Sequence, residues 1–424
     1  MGLQEKTNLN QTSDQDNGSQ PLKGLTVLDL GQIYNGPYCG LLMGFLGARV
    51  IKVESPTGDL VRQRDPYGEP YPYLWLNSNK ESIVLDLKSS EGRSLFERLV
   101  KVADILVENF NVGVMDRLGL GWEHLQQINP RLIYASGKGF GLTGPYANRS
   151  AMDLTVQAMS GALHSTGYPD QLPVKAGPAI SDFLGGVHLC LAAVSAVLAR
   201  QKTGKGQFVE AAMHDAVIYS LTSAFGAYFD RDPARKVPPR TGNRHPGLAM
   251  APYNVYRASD GLIAIFCVAE RHWNKLIETM QISNLRDHSA YNSTVKRAQK
   301  MEEIDEIVER WTSARTKKNL QDILDNAGVP CAIVYSVEEV SNDPHLKERG
   351  MLIDCEHPRK GSVRLPTSPV RLHGGVSRGI ERLAPLLGQD TDFVLRDLLS
   401  LKNDELNELR RRGVICKNGR HFMD

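Results

Sequence analysis

The sequence predicts an α/β fold built on a parallel sheet, with a smaller second domain later in the chain. Three observations point there. Residues 25–54 read as strand, helix and strand: LTVLDL, the loop GQIYNGP, a helix-forming run that ends at Gly47, and RVIKVE. Short apolar runs then alternate with amphipathic ones: SIVLDL at 82–87, a helix from about Ser89, DILVE at 104–108 and RLIYA at 131–135. Such alternation implies parallel strands covered by helices on both faces. A chain of 424 residues also exceeds one ordinary core, since domains usually span about 100–200 residues.

The elements follow in order. Pro37 suits a first helical turn, and the Leu, Met and Phe after it favour helix. Residues 153–161 and 182–200 read as helices, the second apolar enough to be buried. The glycines at 204 and 206 end it, and QFVEAA at 207–212 is the next strand. Between about 230 and 252 Pro and Gly become frequent, as in a linker or an active-site loop. A strand at 261–268, amphipathic helices to about 325 and a strand at 332–335 make a plausible second domain. A β-like stretch near 361–372 precedes helices at about 390–399 and 404–412.

Composition narrows the function. The chain is 41% apolar and 23% charged, with 50 Lys and Arg against 48 acids, a net charge of +2. That balance gives no argument for nucleic acid or an anionic membrane. Six cysteines are scattered without a C-x-x-C pair or zinc spacing, so buried free thiols in a reducing compartment are expected, and no metal. No apolar run of about 18 residues stands out, so no transmembrane helix is expected. Residues 1–21 are polar, carry Glu5, Asp14 and Asp16, and read as a disordered tail without the apolar region of a signal peptide. A cytoplasmic location is expected, with a mitochondrial one open in a eukaryote.

Four sets of residues carry chemistry. The loop with Gly31, Gly36 and Gly40 lacks G-x-G-x-x-G, yet offers backbone N–H groups to a phosphate; a packed turn is the plainer alternative. Ser136–Gly137–Lys138–Gly139–Phe140–Gly141 follows a strand, where open α/β sheets bind ligands. Lys138 supplies charge and Phe140 a stacking face, unless this is only a surface turn. Glu108, Asn109 and Phe110 end another strand, with Arg117 close behind. Among the acids, Asp153 and Asp182 fit helix N-caps. Asp170, in STGYPDQLP at 165–173, has no helix to cap, and a carboxylate there can act as a covalent nucleophile toward an acyl group. His245 lies in TGNRHPG, whereas His188 and His214 fall in helical patterns and read as structural.

Together these segments resemble the class III CoA-transferases, the CaiB/BaiF family of formyl-CoA and carnitine CoA-transferases. The likeness runs from about residue 22 to 414 through LKGLTVLDLGQ, GPYCGLLMGFLGARVIKVE, NKESIVLDLK, ADILVENF, NPRLIYASGKGFG, QAMSG, TGKGQ, GNRHP and APLLGQDTDFVL. It implies an interlocked homodimer of two ring-like chains, each with a Rossmann-like large domain and a smaller central α+β domain. On that plan 22–225 is the first part of the CoA-binding domain, 226–340 the linker and small domain, and 341–424 the return to the large domain. The family nucleophile lies in a segment like T-G-x-x-D-x-x-P, which here places Asp170 in that role. Leu85 and Lys88 match positions near the adenine of CoA. Asn109, Phe110, Arg117, Lys138, Gly139 and Phe140 match residues around the pantetheine and phosphates. Gly242 and Asn243 fall where the family places a glycine-rich loop over the nucleophile, and His245 is read as a contact for the carboxylate substrate. Tyr34 stands where formyl-CoA transferase has an active-site glutamine, a departure that implies an altered substrate pocket. Coenzyme A is then a substrate, and no tightly bound cofactor is expected.

The nearest alternative is an α-methylacyl-CoA racemase, which shares the fold and uses a histidine in a G-H-D-x-N-Y-like segment. Met152 holds that position here and cannot exchange a proton, while Asp182 in SDFLGG is retained. A non-catalytic CoA-binding protein is the other alternative. An NAD-dependent dehydrogenase lacks its glycine fingerprint. The GNRHP loop resembles the dicarboxylate-using branch, so the expected reaction moves CoA from succinyl-CoA, or a similar acyl-CoA, to a small carboxylate.

Overall fold

A computed structural model describes residues 20–229, 238–373 and 379–416. The expected tail lies outside the described residues except at its last two positions, as does 230–237 of the Pro/Gly-rich stretch.

Six strands form one wholly parallel sheet: β1 (Thr26–Asp29), β2 (Arg49–Glu54), β3 (Lys80–Val84), β4 (Ile105–Glu108), β5 (Ile133–Lys138) and β6 (Gln207–Ala212). Their order is β3-β2-β1-β4-β5-β6, the doubly wound arrangement with its topological switch between β1 and β4. Period-two alternation sends neighbouring residues to opposite faces. Val27, Val50 and Ile105 pack with Cys39, Met43 and Leu189 of the helices Asn35–Phe45 and Ile180–Thr203. Leu28, Ile51 and Leu106 pack with Phe96, Leu99 and Val394 of Ser90–Val102 and Thr391–Leu399. With both faces covered, the strands read as continuous apolar runs, which is why they stood out. Ser89 caps its helix by accepting the Gly92 N–H.

The chain returns to this sheet at its C-terminal end. Asp390 accepts the Ser82 N–H at 2.8 Å, Thr391 accepts that of Val84 at 3.1 Å, and Leu85 bridges Ile415. A hairpin of β10 (Leu352–His357) and β11 (Gly361–Pro366) belongs to the same unit. A second unit holds an antiparallel sheet of β7 (Tyr253–Ala258), β8 (Gly261–Phe266) and β9 (Cys331–Ile333), packed on helices through Trp273, Leu276, Ile304 and Leu324. Among the described residues, 20–156, 180–216, 344–373 and 379–416 form the first unit, and 157–179, 217–229 and 238–343 the second. The stretch 157–179, continuous with the first domain in the sequence reading, thus groups with the second unit.

Two expectations are corrected. β5 runs on through Ser136, Gly137 and Lys138, so these are strand residues rather than a turn. The helix Ile180–Thr203 has 24 residues and a mean hydropathy of 1.8 over its best 18, long and apolar enough by length and composition to cross a membrane. Its Leu189, Ala193 and Val197 lie in the core against the sheet, while Val187, Leu191 and Leu198 are exposed. Cys39, Cys190 and Cys267 are buried as free thiols.

Candidate active site

The loop after β1 is fixed from below by buried charge. Asp29 accepts the Gly31 N–H at 2.8 Å and a 2.8 Å bond from Lys80, which also donates to the Pro37 carbonyl. Lys52 donates to the Gly31 carbonyl at 2.8 Å and to Asp59 at 3.0 Å, and Asp59 in turn accepts the Ile33 N–H. Arg62 grips both oxygens of Glu54. Burial alone would raise the Glu54 carboxyl, but Arg62 and Lys52 hold it down at about 2. Burial lowers Lys80 to about 8 against the pull of Asp29. Removing one partner from such a buried pair costs about 3–5 kcal/mol, so the network strongly resists disruption. Gly31 and Gly36 pack so closely that a Cβ on Gly31 would lie 2.6 Å from the Gly36 carbonyl carbon.

The loops after β4 and β5 complete a cavity of about 420 Å³ at the carboxyl end of the sheet, at the switch point. Of the residues the sequence singled out, Asn109, Phe110, Gly137, Lys138, Gly139, Met152 and Asp182 line it, together with Asn35. The Asn109 amide ties two loops, accepting the Gln32 N–H at 2.7 Å and donating to the Gln32 carbonyl at 2.9 Å. Lys138 departs from the free cation expected. It is buried and donates to both Glu108 oxygens, at 2.8 and 2.9 Å, and to the Phe110 carbonyl. Its charge is neutralised within the chain, so it shapes the cavity rather than offering a bare phosphate anchor. The Leu85 side chain is fully buried in the core, so a ligand would meet its backbone only. Lys88 and Arg117 are exposed and do not line the cavity, and Phe140 packs beside His214 and Tyr146.

Asp182 is not an N-cap, because its helix already begins at Ile180. Burial, and then the charge of Asp153, push its carboxyl up to about 7. Tyr34 stacks on Phe183 with ring centres 6.1 Å apart, and its hydroxyl accepts a 3.0 Å bond from Arg64.

In the second unit, Asp170 sits on a pinned loop. The Val174 N–H bonds the Thr166 carbonyl at 3.0 Å, and the Gln171 N–H closes a turn on the Tyr168 carbonyl, with Pro169 at its second position. Arg240, which the sequence reading missed, donates to the carbonyls of His164, Tyr168 and Pro169. The Gly242 N–H bonds the Gly167 carbonyl at 2.9 Å, so it is engaged in the loop rather than free for an oxyanion. A Cβ at Gly242 (φ +63°) would strike the Tyr168 ring at 2.8 Å. Asn243 reaches the Tyr168 hydroxyl at 3.4 Å. His245 Nδ1 accepts the Gly247 N–H, leaving Nε2 for other partners. Asp170 itself is exposed, and its carboxylate makes no hydrogen bond among the described residues. Nor do three His, Cys, Asp or Glu side chains meet as a metal site among those residues.

The CoA-transferase family III model matches residues 22–391. The chain belongs to that family. It is 38% identical over 358 residues to an acetyl-CoA:oxalate CoA-transferase of Acetobacter aceti, covering 84% of this chain and 90% of the relative. A succinyl-CoA–D-citramalate CoA-transferase of Chloroflexus aurantiacus is 34% identical over 401 residues, covering 93% and 98%. A formyl-CoA:oxalate CoA-transferase of Rhodopseudomonas palustris is 32% identical over 419 residues, covering 94% and 98%. Among solved structures, a CaiB/BaiF family protein from Brucella suis superposes with a TM-score of 0.79 at 35% identity, covering 90% of this chain and all of the other. This member of family III is therefore an enzyme that transfers CoA between an acyl-CoA and a carboxylic acid.

Proposed function

We propose that Asp170 is the nucleophile of this CoA transfer, that the donor is succinyl-CoA or a similar acyl-CoA, and that the acceptor is a small dicarboxylate. The observation that carries the first part is a rigid backbone around an unengaged carboxylate. Arg240 and Gly242 hold the loop, yet the Asp170 oxygens have no competing partner among the described residues. An Asp170 oxygen attacks the thioester carbonyl, the C–S bond breaks, and CoA leaves as thiolate with the acyl group held as a mixed anhydride. The thiolate attacks the aspartyl carbonyl and expels the donor's carboxylate, leaving an aspartyl-CoA thioester. The acceptor carboxylate then reverses both steps. Oxalate and citramalate in the names of the relatives support a dicarboxylate acceptor, and succinyl-CoA in one of them supports the donor.

Water would hydrolyse the anhydride, so Asp170 has to be covered during turnover. Because it is exposed in a single chain, a second copy supplying that cover, as an interlocked homodimer, is part of the same proposal. The experiment is a donor–acceptor matrix with products followed by mass, beside Asp170→Asn. The variant should fold yet lose on the order of 10³-fold or more in rate, the scale seen for lost nucleophiles. Hydroxylamine should trap Asp170 of the wild type as its hydroxamate during turnover. Wild-type rates in Asp170→Asn would overturn the assignment.

A further inference from the structure

We propose that Arg64, bonded to Tyr34 beside the cavity, binds the carboxylate of a dicarboxylate substrate that takes no part in the transfer. This rests on the CoA-transferase reading above and adds the residue that selects for a second charge.

Arg64 is exposed and its guanidinium makes one hydrogen bond, from Nη1 to the Tyr34 hydroxyl at 3.0 Å, with its guanidinium carbon 5.7 Å from the Tyr34 ring centre. The other guanidinium N–H groups have no partner among the described residues. The acids nearby in sequence are already matched: Glu54 with Arg62, Asp59 with Lys52, Asp65 with Lys360, and Glu69 with Arg359. Arg64 is therefore the uncompensated charge of segment 54–69. Its planar fork suits bidentate contact with a carboxylate.

The position is tied to the cavity. Tyr34 lies between Ile33 and Asn35, Phe183 follows Asp182, and Leu60 precedes Arg64 by about one helical turn; those four neighbours all line the cavity. The Tyr34 and Phe183 rings, 24° from parallel, with Tyr38 edge-on to Phe183 at 4.9 Å, give an apolar platform for a short carbon chain beside the cation. Asp59 and Lys52 fix the backbone that leads into Tyr34, at Ile33 and Gly31. A monocarboxylate of equal length would meet the platform and leave Arg64 unmatched.

The test compares succinate with butyrate as CoA acceptors, using acetyl-CoA or isotopically labelled succinyl-CoA as donor, for wild type, Arg64→Gln and Arg64→Lys. In Arg64→Gln, kcat/KM for succinate should fall about 10–100-fold further than for butyrate, the scale of a lost charge-assisted hydrogen bond. Arg64→Lys, which keeps charge without the fork, should recover part of the difference. A succinate-to-butyrate ratio that stays at the wild-type value in Arg64→Gln overturns the inference while leaving the transferase reading intact. So does a raised KM for acyl-CoA with that ratio unchanged, which assigns Arg64 to a CoA phosphate. A wild-type protein that transfers CoA to no acceptor overturns both readings.

Discussion

Asp153 and Asp182 lie close together and live in different surroundings. Asp153 accepts the Ser181 N–H at 3.0 Å, whereas the Asp182 carboxyl is drawn out of water beside it. Burial and the neighbouring charge raise Asp182 from 3.8 to about 7. The folded state therefore holds a proton that the unfolded state has released between about pH 4 and 7. Stability linked to this group is complete below about pH 4 and is lost as pH rises through about 7. Asp182→Asn removes the penalty of ionising the site, so the variant should gain stability relative to wild type between pH 5 and 8. The gain is at most about 4 kcal/mol, from roughly three pH units at 1.36 kcal/mol each. Urea unfolding of both proteins at pH 5, 6, 7 and 8 checks this. An offset that stays constant with pH would show that Asp182 titrates normally.

At the scale of elements, the loop bearing Asp170 is held by a residue far away in sequence. Arg240 makes three bonds to the carbonyls of 164, 168 and 169, so removing it should free the turn without opening a core. Arg240→Met should lower kcat about 10–100-fold with KM and melting temperature little changed, since small misplacements of a reacting group carry costs of that size. Arg240→Lys should restore part of the rate. An unchanged kcat in Arg240→Met would remove Arg240 from the positioning of Asp170. Its role shows where sequence reading stops. β2 and β6 match their predicted bounds; β2 is buried along almost its whole length, whereas β6 is a half-exposed edge strand that the glycines before it set off from the preceding helix. β7 and β10 went unread because YNVYRA and LIDCEH mix exposed polar residues with half-buried ones. Gly137 and Lys138 looked like a turn, since nothing local says that Glu108, thirty residues earlier, buries the lysine. Asp170 was legible only through a pattern spanning the chain. Arg64 and Arg240 meet partners 30 to 76 residues away and left no local signal.

The whole molecule leaves apolar surface that one chain does not cover. Leu191 and Leu198 are 63% and 57% exposed on a helix whose opposite face is core, and a helix apolar on both sides is normally buried on both. In the second unit Tyr219 and Phe229 are more exposed still. Monomers rarely leave wide apolar patches in water, so a second copy of the chain is the occupant that the proposed homodimer supplies. Light scattering after size exclusion should give twice the 46.9 kDa chain mass at all concentrations tested. The double variant Leu191→Glu/Leu198→Glu should run as a monomer, because a charge placed at a buried contact costs several kcal/mol for each chain. It should lose transferase activity too, since an uncovered Asp170 anhydride passes to water; released CoA with no acyl-CoA product would be its signature. A fully active wild-type monomer would overturn this. Flotation of wild-type protein with lipid vesicles would instead assign the Ile180–Thr203 face to a membrane surface.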